Sequence, residues 1–286
     1  MKGKILAAKR YIRRNPSLGL GIVLLLAVLL FCGIGSIFVP ASRAYPLSVP
    51  ASRPISKELP LGSDRQGRDI LAVMIAGTPL TLRIGLIAGA IGTLIGTMLG
   101  FVSAYYRGVP DTVIRSMVDV LLTIPSIMVL ILIAVSLRQA MTVNGMALVV
   151  SILAWVWPTR TIRAQVLTMR ESGYIRVAQL SGMNGAEIIV KEMIPNLLPY
   201  LGASFVGAVA SAILASIGIE ALGLGPMEAP TLGMTIYWVL YYAALIHGMW
   251  WWWAPPIIII VIVFVGLFLL SAGLDELANP RVRRVV

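Results

Sequence analysis

The sequence predicts an all-α membrane protein with six transmembrane helices and both termini in the cytoplasm. Hydrophobic residues make up 58% of the 286 residues and charged residues only 12%, whereas soluble domains contain about 45–50% and about 25%. Apolar runs close to the roughly 20 residues that a membrane-crossing helix requires recur along the chain. They lie near residues 18–39, 79–105, 117–137, 145–163, 197–220 and 251–272.

A basic N-terminal segment, residues 1–17, precedes the first apolar run, and this order is also typical of a signal peptide. The apolar run is longer than the 7–15 residues of a signal-peptide core. We therefore expect residues 18–39 to be retained as the first transmembrane helix.

The distribution of lysine and arginine predicts the orientation of the six spans. With the N-terminus in the cytoplasm, the larger share of the 23 Lys and Arg residues lies in cytoplasmic segments, as the positive-inside rule requires. The smaller, outer share is Arg43, Arg53, Lys57, Arg65, Arg68 and Arg138. The net charge of +11 is thus interpreted as a topology signal and not as a nucleic-acid surface.

The outer loop, residues 40–78, contains a run in which Ile70, Leu71, Met74 and Ile75 recur with helical spacing. This spacing predicts an amphipathic helix that starts near Gly67 and lies along the outer membrane face or over the entrance of the path. Carboxylates near its N-terminus would favour that start. The residues expected to fix it are Gly62, Asp64, Gly67, Arg68 and Asp69.

The five remaining spans form a core, residues 79–273. Small residues four apart in the second span, from Gly85 to Gly100, predict a face on which another helix packs closely. Pro125 and Pro158 are expected to bend the third and fourth spans. Asp119 lies four residues after Arg115, so a local ion pair is its predicted role.

A polar segment, residues 164–196, interrupts the core before the fifth span. Residues 170–179 predict a short helix, Gly182 a break, and residues 186–193 a second helix that Pro195 ends. A cytoplasmic tail, residues 274–286, closes the chain.

The sequence contains no motif for a phosphate-binding, catalytic or metal-binding site. The pair Gly3-Lys4 does not form a phosphate-binding loop, and the single His247 and single Cys32 predict neither a catalytic base nor a multi-cysteine metal site. We therefore expect no catalytic residue, no metal and no cofactor in this chain. Asp119 and Glu220 give only weak support for an ion relay inside the membrane.

The polar segment resembles the cytoplasmic Glu-Ala-Ala loop of ABC importer permeases, because Gly182 is followed after nine residues by Glu192-Met193-Ile194-Pro195. The match is closest to the dipeptide/oligopeptide permease family, in the subunit type with an extended first outer loop. Three other stretches agree with that family: "LGSDRQGRD" from Leu61, "EALGLGPMEAPTLGMTI" from Glu220, and "SAGLDELANPRVRR" from Ser271.

The resemblance implies a type I importer permease fold and a short helix that docks on an ATP-hydrolysing subunit. The residues carried over to this docking role are Tyr174, Arg176, Ala178, Gly182, Glu192 and Pro195. One departure is Arg176-Val177-Ala178, which stands where the family has Glu-Ala-Ala, so a cation replaces a carboxylate. The alternative for Arg176 is an ordinary solvated charge.

The same resemblance implies a non-enzymatic permease subunit in the inner membrane of a prokaryote. Its expected partners are a homologous second permease, two ATPase subunits that bind ATP and Mg²⁺, an extracytoplasmic binding protein and membrane lipid. We expect the path to run between the two permeases, because the spans contain few polar residues of their own. Residues that could line it are Thr123, Ser126, Ser204, Ser211 and Ser216, and the alternative for each is a hydrogen bond back to its own helix.

Peptides are the expected cargo. Oligosaccharides remain an alternative because of the aromatic run "MWWWWAP" at residues 249–255, although tryptophans also favour the membrane–water boundary. A stand-alone channel or secondary carrier is a further alternative, which the docking loop and the scarcity of ionisable residues in the spans disfavour.

Overall fold

A computed structural model describes residues 15–137 and 141–278. The basic N-terminal residues 1–14, Arg138 and the tail from Asn279 onwards lie outside this description. The described residues form ten long or short helices and one 3-10 helix, Ala41–Ala44. Apart from one antiparallel bridge between Ser63 and Asp69, they contain no strand pairing. The helices are α1 (Pro16–Phe38), α2 (Ile70–Tyr106), α3 (Gly108–Thr123), α4 (Ser126–Ser136), α5 (Val143–Ala154), α6 (Val156–Arg170), α7 (Gly173–Leu180), α8 (Gly185–Ala221), α9 (Leu232–Tyr241) and α10 (Trp250–Ala278).

Four of the described helices, α1, α2, α8 and α10, are unbroken and are long and apolar enough to cross a membrane. The pairs α3–α4 and α5–α6 each have the composition of one span but are bent by 86° and 41°. By length and composition, the described residues thus contain four helices that could span a membrane, or six if each bent pair counts as one span. The all-helical class predicted from the sequence is confirmed.

Both bends fall where the sequence places a proline. The break between α3 and α4 lies at Ile124, which has an extended backbone conformation, and Pro125, which has a non-helical one. The bend between α5 and α6 lies at Trp155, three residues before Pro158, whose ring nitrogen has no hydrogen to donate to the carbonyl of Ala154. Each predicted bend is present.

Helix α2 is the axis of the fold, and the predicted glycine face is its main contact surface. A Cβ atom on Gly89 would lie 2.8 Å from the backbone nitrogen of Val209 in α8. One on Gly92 would lie 2.6 Å from the carbonyl oxygen of Ala154, at the end of α5. Because these are backbone atoms, no side-chain rotation relieves the clash. Absence of a side chain on α2 therefore allows two helices to approach it closely.

Two apolar clusters hold the ends of α2. At its start, Ile70 and Met74 are buried against Leu232, Val239 and Trp252 of α9 and α10. At its other end, a second cluster joins the ends of α2, α6, α7 and α8. Its buried members are Phe101, Ala104, Ile162, Val166, Ile175, Ala178, Ile188, Met193 and Leu197.

The outer-loop prediction needs a correction. Residues 70–78 do not form a separate surface helix, because α2 runs without interruption from Ile70 to Tyr106 and includes Pro79. Ile70, Met74 and Ile75 are buried inside the protein. Ile70 and Met74 pack on α9 and α10, and Ile75 packs on α1 beside Gly35. The helical spacing therefore reflects internal packing and not contact with a membrane surface. The predicted boundary at residue 79 is therefore wrong.

The polar segment also differs from its prediction. Residues 164–170 continue α6, and residues from Gly185 onwards already belong to α8, so only α7 and its short flanks stand apart. Pro195 does not end a helix. A π-helical stretch, Ile188–Met193, precedes it, and Pro195 falls in the first turn of the α-helical section that follows, where a missing N–H group costs little.

The glycine face generates a test of helix packing. We expect Gly92→Ala to lower the free energy of unfolding by about 1–3 kcal/mol, because its methyl group would overpack the contact with Ala154. Gly33→Ala in α1 is the matched control, since a Cβ there meets no atom within 4 Å and alanine favours a helix by about 0.5–1 kcal/mol. Thermal unfolding in detergent measures both. Equal midpoints for the two variants would contradict the close approach.

Candidate functional site

Helix α7 presents one buried side and one exposed side. Ile175 and Ala178 are 0% and 7% exposed and belong to the cluster at the end of α2. Tyr174, Val177 and Leu180 are 40%, 62% and 89% exposed and recur every three residues, which places them on a shared face. The helix is thus firmly attached to the bundle while it offers an apolar surface to its surroundings.

Ion pairs and a capping box fix the flanks of α7. The Arg107 guanidinium is 2.7 Å from the Glu171 carboxylate, and that of Arg176 is 3.7 Å from the same group. Asn184 caps the start of α8 through a reciprocal pair of hydrogen bonds with Glu187. These contacts hold α7 in a defined position between the two long helices.

The residues predicted to dock fall into three groups. Tyr174, Arg176 and Gly182 are exposed; Gly182 has a φ of +82° and no atom within 4 Å of a Cβ built on it. Glu192 and Pro195 lie beyond α7, in and just after the π-helical stretch. Ala178 faces inward, so its predicted place on the docking surface is corrected: its small size serves packing within this chain. Sequence reasoning missed Val177 and Leu180, although their spacing from Tyr174 was visible.

A cavity of about 480 Å³ lies between the α3–α4 break, the α5–α6 bend, α8 and α10. Ser126, Ser204 and Ser211, three of the five residues predicted to line a path, are part of its wall. Thr123 and Ser216 are not: the Thr123 hydroxyl donates to the Asp119 carbonyl oxygen, and the buried Ser216 hydroxyl donates to the Ile213 carbonyl oxygen. Most of the lining is apolar, and its other polar side chains are Thr161, Tyr200, Ser271 and Asp275.

The residues of the predicted outer-loop motif form a compact junction at the start of α2. The Asp64 carboxylate accepts hydrogen bonds from the backbone of Gln66 and Arg68, both at 2.9 Å, and pairs with the Arg68 guanidinium. The Asp69 carboxylate caps α2 by accepting from Leu71 N–H at 3.0 Å. Asp64, Arg68 and Asp69 are all buried.

Further contacts join this junction to α10 and explain why residue 62 is a glycine. A Cβ on Gly62 would lie 2.5 Å from Trp251, whose indole N–H donates to the Ser63 carbonyl oxygen at 3.3 Å. Burial raises the pKa of the Asp69 carboxyl, and the charge of nearby Arg43 opposes that shift. The motif therefore builds a hydrogen-bonded loop, in which Arg68 Nη2 is buried without a hydrogen-bond partner.

The aromatic run at residues 249–255 packs against the junction at the start of α2. Trp252 is fully buried in the cluster at the start of α2, and Trp251 holds the loop. Only Trp250 is largely exposed. The run does not line the cavity, so it gives no structural support for a sugar-binding site.

An ion pair near the opposite end of α2 was not predicted. Arg163 of α6 makes two parallel hydrogen bonds to the Asp111 carboxylate of α3, at 2.6 and 2.7 Å, and Ser103 of α2 contacts both residues. Three helices are joined by this contact. In the sequence Asp111 and Arg163 are 52 positions apart, so no local spacing indicated the pair. The predicted pair between Arg115 and Asp119 is present at 3.5 Å.

Catalytic chemistry has no assembled site in the part of the chain that is described. No group of three or more His, Cys, Asp or Glu side chains that could hold a metal ion occurs there. His247 is exposed in the loop before α10. The features that remain are the exposed apolar face of α7, the cavity and the hydrogen-bonded loop at the start of α2.

Comparison with known proteins identifies one family. The model of the family described as "Binding-protein-dependent transport system inner membrane component" matches residues 92–284. The dipeptide transport system permease protein of Bacillus subtilis is 27% identical over 97% of this chain and 86% of its own length. The oligopeptide transport system permease protein of the same organism is 26% identical over 95% and 88%. The oligopeptide transport system permease protein of Mycobacterium tuberculosis is 30% identical over 58% of this chain, which spans only 57% of that relative.

The loop junction generates a stability test. Replacing Asp64 by alanine leaves the buried Arg68 guanidinium without its carboxylate, so we expect the free energy of unfolding to fall by about 3–5 kcal/mol. The double variant Asp64→Ala/Arg68→Ala should lose much less than the sum of the two single changes. Lys191→Ala, which breaks an exposed pair with Glu187 and leaves the capping box with Asn184 in place, should cost less than about 1 kcal/mol. Additive losses at Asp64 and Arg68 would show that the pair is not coupled.

Proposed function

Because the chain belongs to the family of binding-protein-dependent transport system inner membrane components, we propose that it is the permease subunit of an ATP-driven ABC importer, with α7 as its contact with an ATPase subunit. The observation that carries the proposal is the exposed face of α7. A leucine that is 89% exposed in a polar segment, beside Val177 and Tyr174, is typical of a surface that a partner covers. The matched residues 92–284 include this helix.

The way α7 is held suits the transmission of motion. Its buried side packs on the ends of α2, α6 and α8, and those helices also border on the glycine face of α2. A displacement of α7 by an ATPase would therefore move these helices as packed bodies instead of bending a free loop. ATP and Mg²⁺ would bind in the partner, and this chain would supply the lever.

Arg176 places a positive charge in the proposed contact at a position where the family pattern has a glutamate. It is exposed and pairs only weakly, at 3.7 Å, with Glu171. We propose that the ATPase groove which receives α7 is neutral or acidic opposite this position, because a basic groove would repel the guanidinium. The matching ATPase is thus expected to differ from those that receive a glutamate.

The cavity is proposed as this chain's half of the translocation path. Its walls come from the two bent pairs together with α8 and α10, and bent helices leave room that straight, close-packed ones would fill. Three serines and further hydroxyl groups provide hydrogen-bonding partners in an otherwise apolar wall. A second, homologous permease would supply the opposite wall, and an extracytoplasmic binding protein would deliver the solute.

Peptides are the proposed cargo, on the basis of the names of the relatives. The cavity lining contains no lysine or arginine and one carboxylate, that of Asp275. Such a lining accommodates neutral or cationic groups, including the amino terminus of a peptide. The loop junction at the start of α2, which the proposed orientation places outside the membrane, would offer a rigid surface to the binding protein.

The docking proposal is tested by placing a charge on α7. In the complex of this permease with its ATPase, Leu180→Asp should lower co-purification of the ATPase about tenfold or more, since burying an unpaired carboxylate in an apolar contact is costly. Leu245→Asp makes the same change at a position that is 55% exposed in the loop before α10, and should leave the complex intact. Full ATPase retention and full uptake by the Leu180→Asp variant would contradict the assignment of α7.

A further inference from the structure

The cavity of about 480 Å³ has one charged side chain among the described residues of its wall, that of Asp275. No lysine or arginine of the described chain lines it. Asp275 belongs to the last turn of α10, where the helix dipole already presents partial negative charge and disfavours a carboxylate. The stability of α10 therefore does not explain this residue, and the helix end and the carboxylate together make one part of the wall negative.

The Asp275 carboxylate has no counter-ion in the described structure. Its side chain is exposed and makes no hydrogen bond or ion pair with residues 15–137 and 141–278. Ser271, one turn earlier on the same wall, is instead held by α8, because its hydroxyl donates to the Ala203 carbonyl oxygen at 3.3 Å. The backbone of α10 thus fixes the position of Asp275, while its carboxylate oxygens remain able to accept hydrogen bonds from a solute.

Asp275 lies beside Tyr200 at the cytoplasmic end of the cavity. A Cβ atom on Gly202 of α8 would lie 3.7 Å from the side chain of Leu274 in α10. Together with the bond from Ser271, this contact sets residues 200–203 opposite residues 271–275. Tyr200 and Asp275 both line the cavity, so they lie on neighbouring walls at about the same level.

Helix α6 reaches the cavity at this level too. The glycine face of α2 gives the measure, since Gly89 meets Val209 of the antiparallel α8, and Gly96 meets Pro158 of α6. Seven residues separate the two glycines, and helices of equal rise per residue place Pro158 level with residue 202 of α8.

Two aromatic rings therefore accompany the carboxylate. Trp157, next to Pro158, lines the cavity and is 63% exposed. Tyr200 also lines the cavity and is partly exposed. The face of an aromatic ring attracts an ammonium group, and Trp does so most strongly. A carboxylate and two aromatic rings at one level are the groups with which proteins bind an ammonium ion.

We propose that Asp275, Trp157 and Tyr200 form a binding site for an ammonium group at the cytoplasmic end of the cavity. The carboxylate accepts hydrogen bonds from the ammonium N–H groups, and the rings contact its outer surface. Solutes with an unmodified amino terminus or a basic side chain are preferred over acylated or acidic ones. The inference rests on the proposed path and adds the class of solute and the residue that selects it.

Paired thiol reagents of opposite charge test this site without knowledge of the cargo. Ser204→Cys places a thiol on the cavity wall of the assembled importer, in which the native Cys32 is buried. The reagents are the cationic trimethylammonioethyl and the anionic sulfonatoethyl methanethiosulfonates, each with its rate divided by that for a small thiol in solution. We expect the cationic reagent to react about tenfold faster than the anionic one, because a nearby carboxylate attracts the first and repels the second.

Asp275→Asn should lower this rate ratio about fivefold or more. The matched control is Asp119→Asn, which removes the same charge from an exposed position outside this cavity and should leave the ratio unchanged. Trp157→Leu should lower the ratio about two- to threefold with Asp275 in place, since the ring contacts the trimethylammonium group and not the sulfonate.

The outcomes separate the ammonium site from the path. A ratio that is the same in Asp275→Asn as in the Asp119→Asn control would overturn the site and leave the path in place. A ratio that Trp157→Leu does not change would overturn the role of the aromatic rings. Failure of position 204 to react with either reagent would show that water does not reach the cavity, and would overturn the path and the site together.

Discussion

The close approach of helix backbones along the glycine face of α2 is the contact on which the rest of the structure depends. In a membrane, helices gain little from apolar burial alone and associate through tight packing. Because Gly89 and Gly92 have no side chains, the backbone of α2 lies directly against the backbones of α8 and of the α5–α6 bend. The bends at Pro125 and Pro158 then leave a cavity on the side of the bundle away from this contact. Shape and space in the core thus follow from glycine and proline positions.

Polar residues secure the two ends of this apolar axis. At one end the buried Asp64–Arg68 pair and the Asp69 cap hold the loop against α2 and Trp251. At the other end the contact of Arg163 with Asp111 joins three helices just before α7. A buried charge that loses its partner is strongly destabilising. The buried Asp64–Arg68 pair therefore gives the first end one defined arrangement, and the second end leads to α7, the proposed lever and docking face.

Features that depend on the spacing of residues within one helix could be predicted from the sequence. Contacts between residues that are far apart in the sequence could not. The helical class, the glycine face, both proline bends and the Arg115–Asp119 pair follow from spacing within one helix, and the structure contains all of them. The apolar spacing of residues 70–75 is also local. The helices α9 and α10, which cover Ile70 and Met74, lie more than 150 positions later in the sequence. Ala178 was assigned to docking because of its size, which fits internal packing equally well. The Arg163–Asp111 contact had no local signal.

The central claim is that the cavity between the bent pairs, α8 and α10 is this chain's half of a translocation path. The most direct measurement is the rate at which a maleimide labels Ser211→Cys in the assembled importer, with and without a transported peptide. Ser216→Cys is the control, because Ser216 lies on the same helix but is fully buried and bonded to the Ile213 carbonyl oxygen; the native Cys32 is buried as well. The account predicts labelling at position 211 that the peptide slows, and no labelling at position 216. Labelling at 211 that is absent, or that proceeds at the same rate during transport, would contradict it.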